Sequence, residues 1–180
     1  MIDEQRQKFN ARDLRYHKPT KKQLTSLQRY PIYIILDDVL DTYNIGAIFR
    51  LADAVAAKEV IICGRSETPP NIKIHRAAIG TEEWIPWSYQ STAVTAIKEL
   101  REKVTSINVL AIELNEKSVD YDKLNYRFPL GLVVGNESHG VSPAVREEVN
   151  GMIEIPMWGF NKSLNVMVSL AIVLWQVMEK

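Results

Sequence analysis

Three stretches of this 180-residue sequence combine residue types able to do chemistry. The first is Asn44-Ile-Gly-Ala-Ile-Phe-Arg50. At helical spacing Gly46, Arg50 and Asp53 share one face. Gly46 leaves room for a backbone or a phosphate to approach, and the five fixed donors of Arg50 suit phosphate oxygens. A plainer reading is a helix capped by Asn44 in which Arg50 pairs with Asp53 across a wet surface. The second stretch, Leu130-Gly-Leu-Val-Val-Gly135-Asn-Glu137-Ser-His139-Gly140-Val-Ser142, has the strand–glycine loop–helix order of a phosphate cradle. Val141 stands where a P-loop needs its lysine, which argues against a nucleotide triphosphatase. Glu137 in that loop suits a polar small molecule better than a polyphosphate, although its glycines could simply supply positive φ. The third joins Ile155-Pro-Met157 to Lys162-Ser163-Leu164-Asn165-Val166 at the start of a helix, where free N–H groups await a cap or a ligand. On the plainer reading Ser163 is simply that cap and Asn165 binds local backbone.

The elements that must hold these stretches follow from periodicity. Pro31–Leu36, Val60–Cys63, Ile107–Ile112, Leu130–Val134 and Met152–Ile155 read as buried strands. Helical spacing runs from Asn44 to about Ala57, over Ile72–Ile79, Ser91–Lys103, Ser142 to Val149 and Ser163–Lys180. This alternation predicts an α/β domain over residues 31–180, a mainly parallel sheet with helices on both faces. In such sheets ligands gather at the carboxyl ends of the strands, where all three stretches fall. Leu14–Arg29 is the one candidate tether. The tryptophans read as core or interface, with Trp158 the one to consider beside a ligand.

Composition narrows the class. Hydrophobic residues are 46% and charged residues 24%, as in ordinary globular chains. The single cysteine, Cys63, rules out an intrachain disulfide and a Cys-rich zinc site. His17, His75 and His139 are too scattered in sequence to suggest a metal, so none is expected. No apolar run reaches the ~18 residues of a membrane span, and the polar N-terminus is no signal core. A cytoplasmic protein is expected. Net charge is zero, yet residues 1–30 hold eight Lys/Arg against three Asp/Glu. Arg12, Arg15, Lys18, Lys21, Lys22 and Arg29, with Tyr16 and His17, make this a basic extension fitted to nucleic-acid phosphates, or a solubilising helix that frays.

Taken together and in order, Asn-x-Gly-x-x-x-Arg, Gly-x-Glu-x-x-Gly and Ile-Pro-Met with Ser-Leu-Asn-Val resemble the three motifs of the SpoU family, the RNA ribose 2′-O-methyltransferases of the SPOUT superfamily. The resemblance spans residues 31–180. It implies a C-terminal deep trefoil knot and S-adenosylmethionine held there by Gly135, Ile155, Met157 and Leu164. It also implies a reactive set of Asn44, Arg50, Glu137, Ser163 and Asn165. A homodimer packed through the knot is implied, with the apolar face of Leu164–Met178 in the interface and the site shared between protomers. Ala56, where relatives often carry glycine, and Gln176, where glutamate is common, depart from the pattern away from the chemistry.

The resemblance implies methyl transfer to a transfer or ribosomal RNA, with DNA excluded because it lacks the 2′-hydroxyl. A guanidinium is an awkward general base, so Arg50 is expected to bind the adjacent phosphate and stabilise developing oxyanion charge. Asn44 and Ser163 would position Arg50 or the ribose, and Glu137 would fix the loop. The alternative is a catalytically inactive RNA-binding homologue.

Overall fold

The computed structural model describes Asn10, Asp13 and residues 17–179. Arg12, Arg15 and Tyr16 of the basic extension therefore lie outside the described residues. Short apolar segments rich in Ile and Val form β1 (Tyr30–Asp37), β2 (Ala57–Cys63), β3 (Trp87–Gln90), β4 (Asn108–Ile112), β5 (Val119–Asp120), β6 (Leu130–Gly135) and β7 (Gly151–Glu154). The helices are α1 (Lys21–Ser26), α2 (Thr42–Ala54), α3 (Ile72–Ala78), α4 (Ala93–Lys103), α5 (Pro143–Glu148) and α6 (Val166–Glu179), with a 3₁₀ turn at Thr81–Glu83. Among the described residues the strands form one parallel sheet in the order β3-β2-β1-β6-β4-β7-β5.

The two-residue period of the strands divides the core. On one face Ile32, Ile34 and Leu36 of β1, with Leu132 and Val134 of β6, pack under α2, α3 and α6. On the other, Tyr33, Ile35, Val109 and Val133 pack under α4 and α5. Each fully buried Ile or Leu contributes about 1.5–3 kcal/mol, so these runs, rather than helix propensity, hold the layers. The parallel register puts Asp37, Ile112, Gly135 and Glu154 at one edge.

Several local expectations change. The cap of α2 is Asp41, whose side chain accepts from Tyr43 N–H at 2.8 Å, so Asn44 falls inside the first turn. Gly46 makes room for backbone: a Cβ there would lie 2.5 Å from the Ile74 carbonyl oxygen and 2.9 Å from the Ala78 nitrogen, so α2 and α3 cross at this residue. Ala56 adopts φ 48°, the left-handed region that glycine enters freely. Strand β3 was hidden in the sequence because its Trp-Ser-Tyr-Gln run follows Pro86 and is only four residues long, too short for its alternation to stand out.

The part of the tether stretch that lies among the described residues, from His17 to Arg29, is docked. Thr20 and Gln23 form a reciprocal capping box on α1. Arg29 donates to the carbonyls of Ala57 at 3.1 Å and Trp84 at 3.0 Å. Burial pulls its guanidinium below the ordinary arginine value, with nearby Asp53 opposing the shift. Arg29 is thus a strut, not a free phosphate ligand.

Candidate active site

A cavity of about 640 Å³ opens at the carboxyl edge, walled by the segments that follow β4, β6 and β7 and by the start of α6. Gly135, Glu137, Ile155, Met157, Ser163, Leu164 and Asn165 all line it; Asn44 and Arg50 do not. Trp158 is also outside the lining, and 94% exposed.

Asn44 is nevertheless tied to the wall. It is buried, with only 5% of its surface exposed. Its Nδ2 donates to Glu137 Oε1 at 2.9 Å, and its Oδ1 accepts from Asn165 Nδ2 at 3.0 Å. Asn165 Oδ1 in turn accepts from Met167 N–H at 2.9 Å, so Asn165, not Ser163, caps α6. The two amides can satisfy this chain in one orientation only, because a carboxylate accepts and a backbone N–H donates. Three residues far apart in sequence are thereby locked into one relay joining the β6 loop, α2 and α6.

Glu137 also accepts from the backbone N–H groups of Leu40 at 3.1 Å and Asp41 at 2.9 Å, at the positive end of α2. Burial of Glu137 opposes ionisation, but these hydrogen bonds from Asn44, Asp41 and Leu40 outweigh it and hold its carboxyl below the ordinary glutamate value. A lowered native value means the carboxylate stabilises the fold above the unfolded glutamate range, and the contribution fades as pH falls through the native value. Glu137→Gln is therefore expected to cost about 1 kcal/mol near neutral pH, less than the ~1.5–3 kcal/mol of a charged hydrogen bond because the group is partly solvated. Denaturant titrations over a pH series check this. The gap to wild type should close in acid, and a gap independent of pH would contradict it.

The loop between β6 and α5 only imitates a phosphate cradle. Its N–H groups are already taken: Val141 donates to Glu113 at 2.6 Å, Ser142 to Asp37 at 2.7 Å, and Ser138 and His139 to Asn136 Oδ1 at 3.0 and 3.1 Å. Carboxylates from β1 and from the residue after β4 occupy the place a phosphate would take. Gly135 is needed because its Cβ would overlap the Gly140 carbonyl and the Val141 nitrogen. Gly140 does supply a positive φ, 67°. Asp37, Glu113, Asn136 and His139 were missed by sequence reasoning. The available signal for Asp37 and Glu113 was a carboxylate at or just past the end of a buried parallel strand.

Arg50 is exposed and, among the described residues, forms no hydrogen bond or ion pair. Asp53 instead accepts from Trp84 Nε1 at 2.7 Å, which removes the Arg50–Asp53 pairing. Seven residues before Arg50, Tyr43 lies on the same outer stripe of α2 and is 59% exposed. Ser163 is exposed as well; its N–H donates to Asn161 Oδ1 at 3.3 Å. Away from the edge, the scattered histidines do not meet one another. His75 joins Glu82 at 2.5 Å and Glu83 at 3.8 Å, while Lys18 pairs with Glu83, so this group ties α3 and the N-terminal stretch to the 3₁₀ turn.

Comparison with known proteins adds an independent line. The family model described as SpoU rRNA Methylase matches residues 31–175. A 23S rRNA (guanosine-2′-O-)-methyltransferase, RlmB, of Neisseria meningitidis is 30% identical over 151 residues, 84% of this chain and 59% of its own. The crystal structure of the TrmH/SpoU tRNA modifying enzyme of A. aeolicus superposes with a TM-score of 0.76 at 25% identity, covering 94% of this chain and 81% of that one. An AdoMet-bound rRNA methyltransferase of Sinorhizobium meliloti gives 0.75 at 29% identity, with coverage of 87% and 59%. The chain spans about three fifths of the length of the curated relatives it matches.

Proposed function

Because the chain belongs to the SpoU rRNA methylase family, we propose that it transfers a methyl group from S-adenosylmethionine to a ribose 2′-hydroxyl of a structured transfer or ribosomal RNA. The observation that carries this reading is the relay Glu137–Asn44–Asn165 on the wall of the cavity, which unites the three motifs in one device.

The cavity suits the cofactor. Its volume of about 640 Å³ falls in the usual range for small-ligand sites. Ile112, Leu114, Val134, Ile155, Met157 and Leu164 offer an apolar wall, Glu113 and Glu154 complement a cationic ligand, and Lys162 offers a partner for a carboxylate. Gly135, Ile155, Met157 and Leu164 would hold S-adenosylmethionine, which when bound supplies an electrophilic methyl group on a sulfonium. The chain from Ile155 to Asn165 returns from β7, outside β4, to Asn44 on α2, crossing the edge above β4 and β6. We read this return as the threading segment of a deep trefoil knot.

Arg50 would grip the phosphate beside the target ribose with its planar fork and stabilise charge growing on the 2′-oxygen. Asn44 would keep Glu137 and Asn165 in place, and Ser163, at the rim, would meet the ribose or its phosphate. Holding the hydroxyl in attack geometry is worth about 7–11 kcal/mol, the largest contribution available to a protein that positions two reactants. Since Arg50 stands outside the cavity with a free guanidinium, we propose that a second copy completes the site. The unpartnered face of α6 supports a homodimer: Val168 is 37% and Trp175 48% exposed, and Leu164 just before the helix is 37% exposed. Exposed Lys21 and Lys22 would contact RNA phosphates from the N-terminal stretch. No helix among the described residues is long and apolar enough to cross a membrane, in keeping with work on cytoplasmic RNA.

Incubating the protein with labelled S-adenosylmethionine and unmodified transfer RNA, ribosomal RNA or DNA of matched sequence tests the reading. Label is expected in one RNA fraction and not in DNA. Absence of label from both RNA fractions, with cofactor binding demonstrated, would overturn it.

A further inference from the structure

Methylation of a ribose hydroxyl releases a proton, and none of the roles given above accounts for its acceptor. Five ionisable side chains line the cavity: Glu113, Glu137, His139, Glu154 and Lys162. Glu137 is committed to three donors, and Glu113 is held by Val141 N–H against Gly140. A lysine ammonium must lose its own proton before it can accept one, and a carboxylate is, as a class, a weaker base than an imidazole.

The ring of His139 is set up differently. Asn136 Nδ2 donates to the Asp38 carbonyl at 2.9 Å, which fixes the amide. Asn136 Oδ1 then faces the loop and accepts from the N–H groups of Ser138 and His139. His139 Nδ1 lies 3.0 Å from the same oxygen. An amide oxygen cannot donate, so Nδ1 carries the hydrogen in the neutral ring, and the lone pair is on Nε2. Nε2 has no partner among the described residues.

Resting on the ribose-methylation reading above, we propose that His139 is the general base of the reaction, taking the 2′-hydroxyl proton at Nε2. The O2′–H bond breaks toward Nε2 while O2′ bonds to the methyl carbon, and the electron pair of the broken sulfur–methyl bond stays on sulfur. The ring becomes an imidazolium and loses its proton to solvent through its exposed edge. Asp38, paired with Arg65, lies close enough to feel the ring's charge. The other charged groups that line the cavity with the ring are Glu137 in the same loop, Glu113 and Glu154 on the other walls, and Lys162.

His139→Asn is the informative variant, because its amide can still donate to Asn136 Oδ1 while offering no base. Single-turnover methyl transfer, measured with S-adenosylmethionine and RNA both saturating, is expected to fall about 10²–10⁴-fold. The wild-type rate should fall on the acid side of neutrality and this limb should vanish in His139→Asn. Added imidazole should restore part of the activity of His139→Ala. Nitrogen NMR of the wild-type protein at neutral pH should show the hydrogen on Nδ1. A His139→Asn rate within about threefold of wild type, or a hydrogen on Nε2, would overturn the assignment while leaving ribose methylation intact. A wild-type protein that methylates no ribose would instead overturn the underlying reading, and the role of His139 with it.

Discussion

Replacing Arg50 by alanine is expected to lower methyl transfer about 10²–10³-fold, the loss seen when one pre-positioned donor to a developing oxyanion is removed. The fold should not register the change. Arg50 is exposed and without a partner among the described residues, and surface substitutions of that kind stay within about 0.5 kcal/mol. Affinity for S-adenosylmethionine should also hold, since Arg50 is no part of the cavity wall. Lysine should recover little, because a point charge cannot reproduce the bidentate fork. Equilibrium binding and single-turnover rates on the two variants check all three statements. Near-normal turnover in Arg50→Lys would contradict the planar role. Loss of cofactor binding with intact RNA binding in Arg50→Ala would contradict the placement of Arg50 on the RNA side. Mixing Arg50→Ala with a variant defective in the cofactor cavity should restore activity if the site spans two copies.

The second large effect concerns Gly135→Ala. The added methyl would overlap backbone atoms of Gly140 and Val141, which cannot rotate away as a side chain would. Relief requires the Asn136–Gly140 bridge to open, and with it go the bonds from Val141 N–H to Glu113 and from Ser142 N–H to Asp37. The cost should reach the top of the range for overpacking, about 3 kcal/mol, or roughly 6–12 °C in Tm for a chain of this length. Cofactor affinity should fall about 100-fold or more, because the loop is one wall of the cavity. Gly131→Ala is the control: on the same strand, its methyl would come closest to the Val109 side chain, at 3.2 Å, with no backbone atom nearer than 3.6 Å. Thermal melts and cofactor titrations of both variants provide the check. Equal behaviour of the two would contradict the account of the loop.

What could be read in the sequence, and what could not, divides along physical lines. The parallel α/β layering was legible because Ile32, Ile34 and Leu36 point one way and Tyr33 and Ile35 the other, a period that local sequence encodes. Strand β5, two residues long, carries no such period and exists only through its pairing with β7. The cap of α2 was misplaced at Asn44 because asparagine and aspartate cap equally well, and the choice of Asp41 frees Asn44 for Glu137 and Asn165. Four of the expected cofactor residues do meet in one cavity, since motif order reflects the parallel edge. The satisfaction of the β6 loop by Asp37 and Glu113 depends on contacts across 105 and 28 residues and left no local trace. Helical spacing put Arg50 on a face of α2 but could not say that the face looks away from the cavity.

Nucleoside mass spectrometry of RNA methylated by the protein, after complete digestion, tests the central claim most directly. The account predicts a single 2′-O-methylnucleoside that disappears when Arg50 is alanine. A product methylated on the base, with an unmodified ribose, would contradict it.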